Sequence, residues 1–445
     1  MKRTLTLVTG ILLISIISHT SAQEVWSLEK CIEFAIENNI QIKRQEVNNQ
    51  YNSNQQNQAK SDRLPTLNVQ LSNSLNFGRS LTYENTYANT NSTQYNGGLS
   101  TRFTIWNGSV LQNTIKQKEL DLQAGIQDLQ KAKDDITLNI AASYLEILFA
   151  DELINVANSQ IDVTKQQIER TAQLVEAGSL AKGALLEIEA QLAGEQLQLV
   201  NNQNQLQLSY LNLYQLLDLP AEKHFQIEKP ELPEIKAHST MSNSMDVFKN
   251  SVNTRPEIKA ARLRVESAKK QLSIAKGSQY PSLSFSANYY NLFNNKYADF
   301  LGNEISFVDQ LKNNERYGLG LTLQIPIFNK FQVRNAISNA RLQIIDNELQ
   351  LQTTSNLLRK DIELAYTNAL AALKRFFSSE KAVESMEEAF RYIEEKYNVG
   401  MVNSVEYNQS KNNLTKAQSE LLQAKYEYIF RTKILDFYNG VPIEL

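Results

Sequence analysis

A single cysteine stands in this chain of 445 residues, so no internal disulfide can form. Cys31 lies within Leu28-Glu29-Lys30-Cys31-Ile32 and reads as a small buried hydrophobe, rather than a lipid attachment site or a reactive thiol. Histidine is nearly as scarce. His19 falls in a segment expected to be removed, while His224 and His238 have no cysteine pair nearby and read as surface residues rather than metal ligands. A strong charge of one sign is missing too. Lys and Arg number 45 against 48 Asp and Glu, a net charge of -3, which argues against a nucleic-acid partner. Lys182-Gly183 ends a stretch faintly like a phosphate loop, but no strand precedes it and no serine or threonine follows the lysine. No nucleophile stands with a base, so neither an enzyme nor a cofactor or metal site is expected.

The only long apolar run is at the start. Lys2 and Arg3 precede Leu5 to Ile17, and Thr20-Ser21-Ala22 offers the small residues of a cleavage site. Residues 1–22 therefore read as a secretory signal whose core is short for a membrane span. Losing Lys2 and Arg3 takes the net charge from -3 to -5 (-3 minus 2), and the mature chain is expected to be exported.

Most of what remains occurs twice. A shift of 222 residues (400 minus 178) places Gly178 on Gly400, Trp106 on Phe328, Leu192 on Leu414, Tyr144 on Tyr366 and Pro220 on Pro442. That period is far longer than a solenoid unit, so each copy is expected to be a substantial substructure. The expected divisions are a signal at 1–22, a first repeat at 23–220, a connector at 221–243 and a second repeat at 244–445. Function is expected along the axis the repeats share.

Each half opens with a short helix, around Leu28 to Lys60 and Met245 to Lys276, that breaks before Pro65 or Pro281 into a period of two. Leu67, Val69, Leu71, Leu75 and Phe77 alternate with polar residues, as do Leu99, Phe103 and Ile105. In the second half Leu283, Phe285, Ala287 and Tyr289 alternate, followed by Tyr317, Leu319, Leu321, Leu323, Ile325 and Ile327. Four strands with one oily face have the length to cross a bilayer when tilted. A soluble sandwich with one wet face would show the same alternation.

After Trp106-Asn107-Gly108 the period becomes seven. Ile140, Ile147, Ile154, Ile161, Ile168 and Val175 recur over an expected helix from Val110 to Ala177, and Ile362, Ala369, Phe376, Val383, Phe390 and Tyr397 keep the same phase. A strict heptad implies left-handed supercoiling. Past Gly178 and Gly400 the period returns with Leu185, Leu192, Leu199, Leu206 and Leu213, then Tyr407, Leu414, Leu421, Tyr428 and Leu435. Each half is therefore expected to end in a long antiparallel helical hairpin with a glycine tip.

Strand edges in hydrocarbon leave backbone groups unpaired at several kcal/mol each, so spanning sheets close into barrels. Four strands cannot close. Two copies give eight strands with a largely filled interior, whereas three give twelve and an open lumen. The rival reading is an exported structural or adhesive coiled coil.

Several motifs carry a resemblance to a known family. They are Trp26-Ser27-Leu28-Glu29-Lys30-Cys31-Ile32-Glu33-Phe34-Ala35, Leu64-Pro65-Thr66-Leu67 with Tyr280-Pro281-Ser282-Leu283, the aligned Tyr144 and Tyr366, and Tyr397-Asn398-Val399-Gly400. In this order and doubling the chain resembles the TolC-like outer-membrane efflux proteins over essentially its whole mature length. The resemblance implies a mainly α fold with membrane β, a homotrimer with a twelve-stranded barrel in outer-membrane lipid of a Gram-negative bacterium, and a periplasmic helical tunnel. It also implies a periplasmic adaptor and an inner-membrane transporter as partners, with Gly178, Ser179, Leu180, Gly400, Met401 and Val402 at the docking tips. The entrance would be lined by Tyr397, Glu406 and Gln409. Gln409 stands where the family has a second acid, so a weaker acidic ring is implied. The family's gate arginine and its acidic partner are Val402 and Ala184 here, and that link is absent. Two of these residues have plainer readings: Glu406 sits third in a capping box begun by Asn403, and Tyr397 falls on the heptad seam.

Overall fold

The computed structural model describes residues 25–81, 85–89, 91–219, 225–235, 241 and 243–444. The expected signal, Pro220 and all three histidines lie outside the described residues. In chain order the elements are β1 (Val25–Trp26), α1 (Leu28–Asn38), α2 (Ile40–Ser61), β2 (Thr66–Asn76), β3 (Arg79–Leu81), β4 (Tyr87–Asn89), β5 (Ser92–Trp106), α3 (Val110–Glu176) and α4 (Lys182–Leu216). There follow β6 (Gln226–Ile227), α5 (Ser244–Thr254), α6 (Pro256–Gly277), β7 (Ser282–Asn294), α7 (Phe307–Asn313), β8 (Arg316–Gln324), α8 (Gln332–Asn398) and α9 (Ser404–Tyr438). Helix lengths run 11, 22, 67 and 35 residues for α1 to α4, and 11, 22, 67 and 35 again for α5, α6, α8 and α9.

The single opening helix expected in each half is two. Asn39 takes an extended conformation between α1 and α2, and its Oδ1 accepts from the backbone N–H of Gln41 at 2.9 Å, so it caps the new helix. In the second half the break is Arg255, held extended by Pro256, whose ring also suits the first position of α6.

The chain forms two compact units, and each draws on both halves of the sequence. Among the described residues, one comprises those within 25–44, 129–255 and 356–444; the other comprises those within 45–128 and 256–355. In the first unit the core gathers Trp26, Cys31, Ile140, Tyr144, Ile147, Leu213, Phe225 and Ile429. A two-strand parallel ladder, β1 against β6, runs beside it. The Tyr144 hydroxyl donates to the Glu228 carbonyl at 2.6 Å, tying the middle of α3 to the residue after β6. Cys31 is fully buried here, and burial pushes its thiol up to about 12. Beside the isoleucine heptad of α3, Ser143, Ala150, Ala157, Thr164 and Thr171 are also buried, again every seven residues. Small side chains at that spacing let neighbouring helices approach closely.

The second unit holds a four-stranded antiparallel sheet in the order β2-β5-β7-β8. β2 pairs with β5 from Thr66↔Arg102 to Asn76↔Ser92, so β2 matches the alternating stretch, while β5 begins well before the Leu99 that alternation indicated. The loop between them carries its own small hairpin, β3–β4. β8 stops at Gln324, short of the expected Ile327, because Pro326 has no N–H for a ladder. The oily face is bare: Leu71 and Leu319 are each 80% exposed, and Leu67, Val69, Tyr317, Leu321 and Leu323 accompany them. Full burial of one such side chain is worth about 1.5–3 kcal/mol, so this face calls for a covering that the described residues do not provide. β2 and β8 are not paired with each other, and the sheet is not closed. No helix among the described residues is long and apolar enough to cross a membrane.

Candidate functional site

The hairpin tips belong to the first unit, and the sequence makes them sharp. Gly178 and Gly400 both have φ of +76°, a conformation that costs other L-residues about 1–2 kcal/mol. Beside Gly178 the N–H of Ser179 reaches the Leu174 carbonyl at 2.9 Å, while the N–H of Gly178 reaches Val175 at 3.0 Å. Gly400 repeats the pair, with Met401 to Lys396 at 2.9 Å and Gly400 to Tyr397 at 3.1 Å. These crossed bonds satisfy the last helical carbonyls in the Schellman manner. Beyond them the tips differ. Asn403 Oδ1 accepts from the Glu406 N–H at 2.9 Å and caps α9, but its counterpart at α4 is Ala181, which caps nothing.

Ser179, Leu180 and Met401 are exposed at these tips, and Val402 is half-buried. Glu406 and Gln409 are exposed three residues apart on α9, and the Gln409 amide donates to Asn413 at 3.0 Å. Tyr397 is half-buried, with its ring 4.7 Å from that of Tyr407, which also meets Phe390 at 5.3 Å. Tyr397 and Glu406 thus keep the seam and cap positions that the sequence gives them, and Tyr397 packs against the residue next to Glu406. Tyr407 is buried, which raises its phenol well above the usual range, with Glu394 adding to the shift.

Between the hairpins the polar contacts are ones that sequence reading missed. Arg170 of α3 donates to the Asn398 side-chain carbonyl and, at 3.3 Å, to its backbone carbonyl at the end of α8. Ser404 of α9 donates to Glu187 of α4. Deeper, Lys411 of α9 is 2% exposed and binds three groups: Glu195 of α4 at 3.1 Å, the Gln160 carbonyl of α3 at 2.9 Å, and the Thr164 hydroxyl. Thr164 in turn donates to Glu195 at 2.5 Å, and Gln191 donates to the other carboxylate oxygen at 2.9 Å. Burial lowers the Lys411 pKa, and the neighbouring Glu195 carboxylate opposes that shift. One signal was available, since Ser404, Tyr407, Lys411 and Leu414 keep the spacing of a heptad seam, where lysine is out of place. A cleft of about 680 Å³ lies beside this cluster between α3, α4 and α9, lined by Gln160, Gln191, Gln198, Asn412 and Ser419. Among the described residues no three or more His, Cys, Asp or Glu side chains are grouped to hold a metal.

Paired helical hairpins, a small mixed core and an open sheet with a bare oily face define a membrane-associated protein of α-hairpin and β-sheet type. The model of the outer membrane efflux protein family matches residues 31–218 and 247–436, most of the chain, and the chain belongs to that family. It is 20% identical over 352 residues to toxin and drug export protein A of Aggregatibacter actinomycetemcomitans, covering 79% of this chain and 74% of that one. Outer membrane protein TolC of Escherichia coli is 22% identical over 389 residues, covering 84% and 74%. Among solved structures, CusC, described in connection with transmembrane channel formation, superposes with a TM-score of 0.79 at 16% identity, over 93% of this chain and 92% of that one. The exported structural coiled coil is therefore set aside.

Proposed function

We propose that three copies of the chain pool their sheets into one twelve-stranded outer-membrane barrel, and that the helical hairpins continue it as a periplasmic tunnel. The assembly is a passive conduit. An inner-membrane transporter supplies the energy and selects the cargo, and a periplasmic adaptor joins it to the tips at Gly178, Ser179, Leu180, Gly400, Met401 and Val402. The signal at residues 1–22 is removed on export. The matched helix lengths support reading 23–220 and 244–445 as two copies of one substructure joined by a connector at 221–243.

The observation that carries this reading is the sheet: four strands, two unpaired edges and an uncovered apolar face. Hydrocarbon tolerates the face but not the edges. Tyr397, Glu406 and Gln409 line the entrance in this reading, and Arg170–Asn398 with Glu187–Ser404 take the place of the link that Val402 and Ala184 cannot make. The test is the mass of the detergent-extracted outer-membrane complex, measured with cysteine pairs placed on β2 and β8. Three chains joined edge to edge are expected; a monomer, or a pair that never cross-links between chains, rules the conduit out.

A further inference from the structure

The segment between β7 and β8 contains a seven-residue helix, α7, whose inner side is fixed by amides. Gln310 is 2% exposed, and its side chain acts as one more rung of the sheet: Oε1 accepts from the Asn294 N–H at 2.9 Å while Nε2 donates to the Asn294 carbonyl at 2.9 Å. Asn314 donates to the Leu292 carbonyl at 2.6 Å, and Asn291 donates to the Leu311 carbonyl at 2.7 Å. At the other end Ser306 caps the helix by accepting from the Asp309 N–H at 3.2 Å. The polar groups on this side are consumed in attaching α7 to the end of the sheet.

Which face of the sheet it is attached to follows from the pleat. Asn291 and Phe293 continue the series Leu283, Phe285, Ala287 and Tyr289, so they stand on the oily face. Phe307 of α7 meets the Phe293 ring at 4.9 Å. The helix therefore lies on the oily side, at its far end. Its outward surface carries two exposed apolar side chains, Phe307 at 51% and Val308 at 57%, beside the exposed polar Asp309, Lys312 and Asn313. From Leu283 to Phe293 the strand advances ten residues, about 34 Å, and a tilt of roughly 40° leaves about 26 Å along the membrane normal. That equals the height of the apolar band of an outer-membrane barrel, so Phe293 falls at its rim and α7 just beyond.

We infer that α7 is an interfacial lipid-binding element, seating Phe307 and Val308 at the boundary between acyl chains and headgroups of the outer leaflet. The occupant is lipid because the surface is continuous with the oily face, and the inference rests on the conduit reading of that face. The flanking charges are of both signs, Lys296, Lys312 and Arg316 against Asp299, Glu304, Asp309 and Glu315, so apolar contact rather than attraction to anionic headgroups drives the seating.

Nitroxide labels test this in the full-length channel, reconstituted in vesicles of phosphatidylethanolamine and phosphatidylglycerol. Cys31 is buried and takes no label, so Val308→Cys, Leu319→Cys and Lys381→Cys each report one place. Accessibility to oxygen relative to a water-soluble nickel chelate is expected to be several-fold higher at 308 than at the exposed helix position 381, and high at 319 as well. A label at 308 as open to nickel as the one at 381, with 319 still oxygen-rich, overturns the lipid contact and leaves the conduit standing. Shielding at 308 from both reagents means that protein covers α7 and also overturns it. Nickel access at 319 as well as 308 removes the conduit reading itself.

Discussion

At the residue scale the most informative group is Lys411, a cation enclosed by three helices. Deleting one member of a buried ion pair leaves the other charge stranded, which typically costs about 3–5 kcal/mol, whereas replacing both with apolar groups of similar size is often neutral. Lys411→Ala is therefore expected to lower the urea midpoint sharply, and Lys411→Met with Glu195→Leu to recover most of it. Equal losses in both variants would mean the cluster acts through something other than charge. Buried thiol and phenol groups also titrate. Burial raises the Cys31 thiol to about 12 and the Tyr426 phenol to about 12, and it raises Tyr144 and Tyr407 further. A group whose folded pKa is raised stabilises the fold below its unfolded pKa and loses that contribution as pH rises. Stability should thus decline from about pH 8.5, the free thiol value, and steeply past about 10, the free phenol value. Lys411, with a lowered pKa, works in the opposite sense but is one group against four. Thermal melts across pH check the slope, and Cys31→Ala should move its onset upward. In single-channel recordings Glu406→Gln is expected to weaken cation preference; unchanged selectivity would return Glu406 to its place beside the cap alone.

At the element scale the two tips are a matched pair with one member incomplete. Ala181→Asn supplies the cap that α4 lacks and should slow amide exchange in its first turn by the equivalent of about 0.5–2 kcal/mol. Gly400→Ala forces a side chain into the left-handed region and should speed exchange there by a similar amount. Long elements were legible in the amino-acid sequence because many residues vote on each: α3 was expected at Val110 to Ala177 and runs Val110–Glu176. Short-range exceptions were less so. The Asn39 break hides in an otherwise helical stretch, and it forms because one side chain caps the next helix. Pro326 was in plain view at the end of β8, yet apolar residues on both sides masked it. Lys411 reads as one more solvated charge until α3 and α4 supply a carboxylate, a hydroxyl and a carbonyl that lie over two hundred residues away in the chain. α7 is short, and its anchors are amides whose partners the sequence does not reveal.

At the scale of the whole molecule the heptads and the period-two strands were readable, as was the family, through ordered motifs of low individual specificity. The two spatial units were not. A shift of 222 residues divides the chain end to end, while contacts divide it crosswise, because α3 and α8 each pass through both units. Heating the extracted complex is expected to release single chains in one step, read by gel mobility, since the edges of every sheet depend on its neighbours.

The open rims of the sheet have a genetic corollary. A barrel built from contributed staves fails wherever one stave is bad, so a chain with a disrupted β8 that still pairs through β2 would spoil the rings it joins. Co-expressed with the wild type at equal dose, such an allele should be dominant, and export should fall well below half.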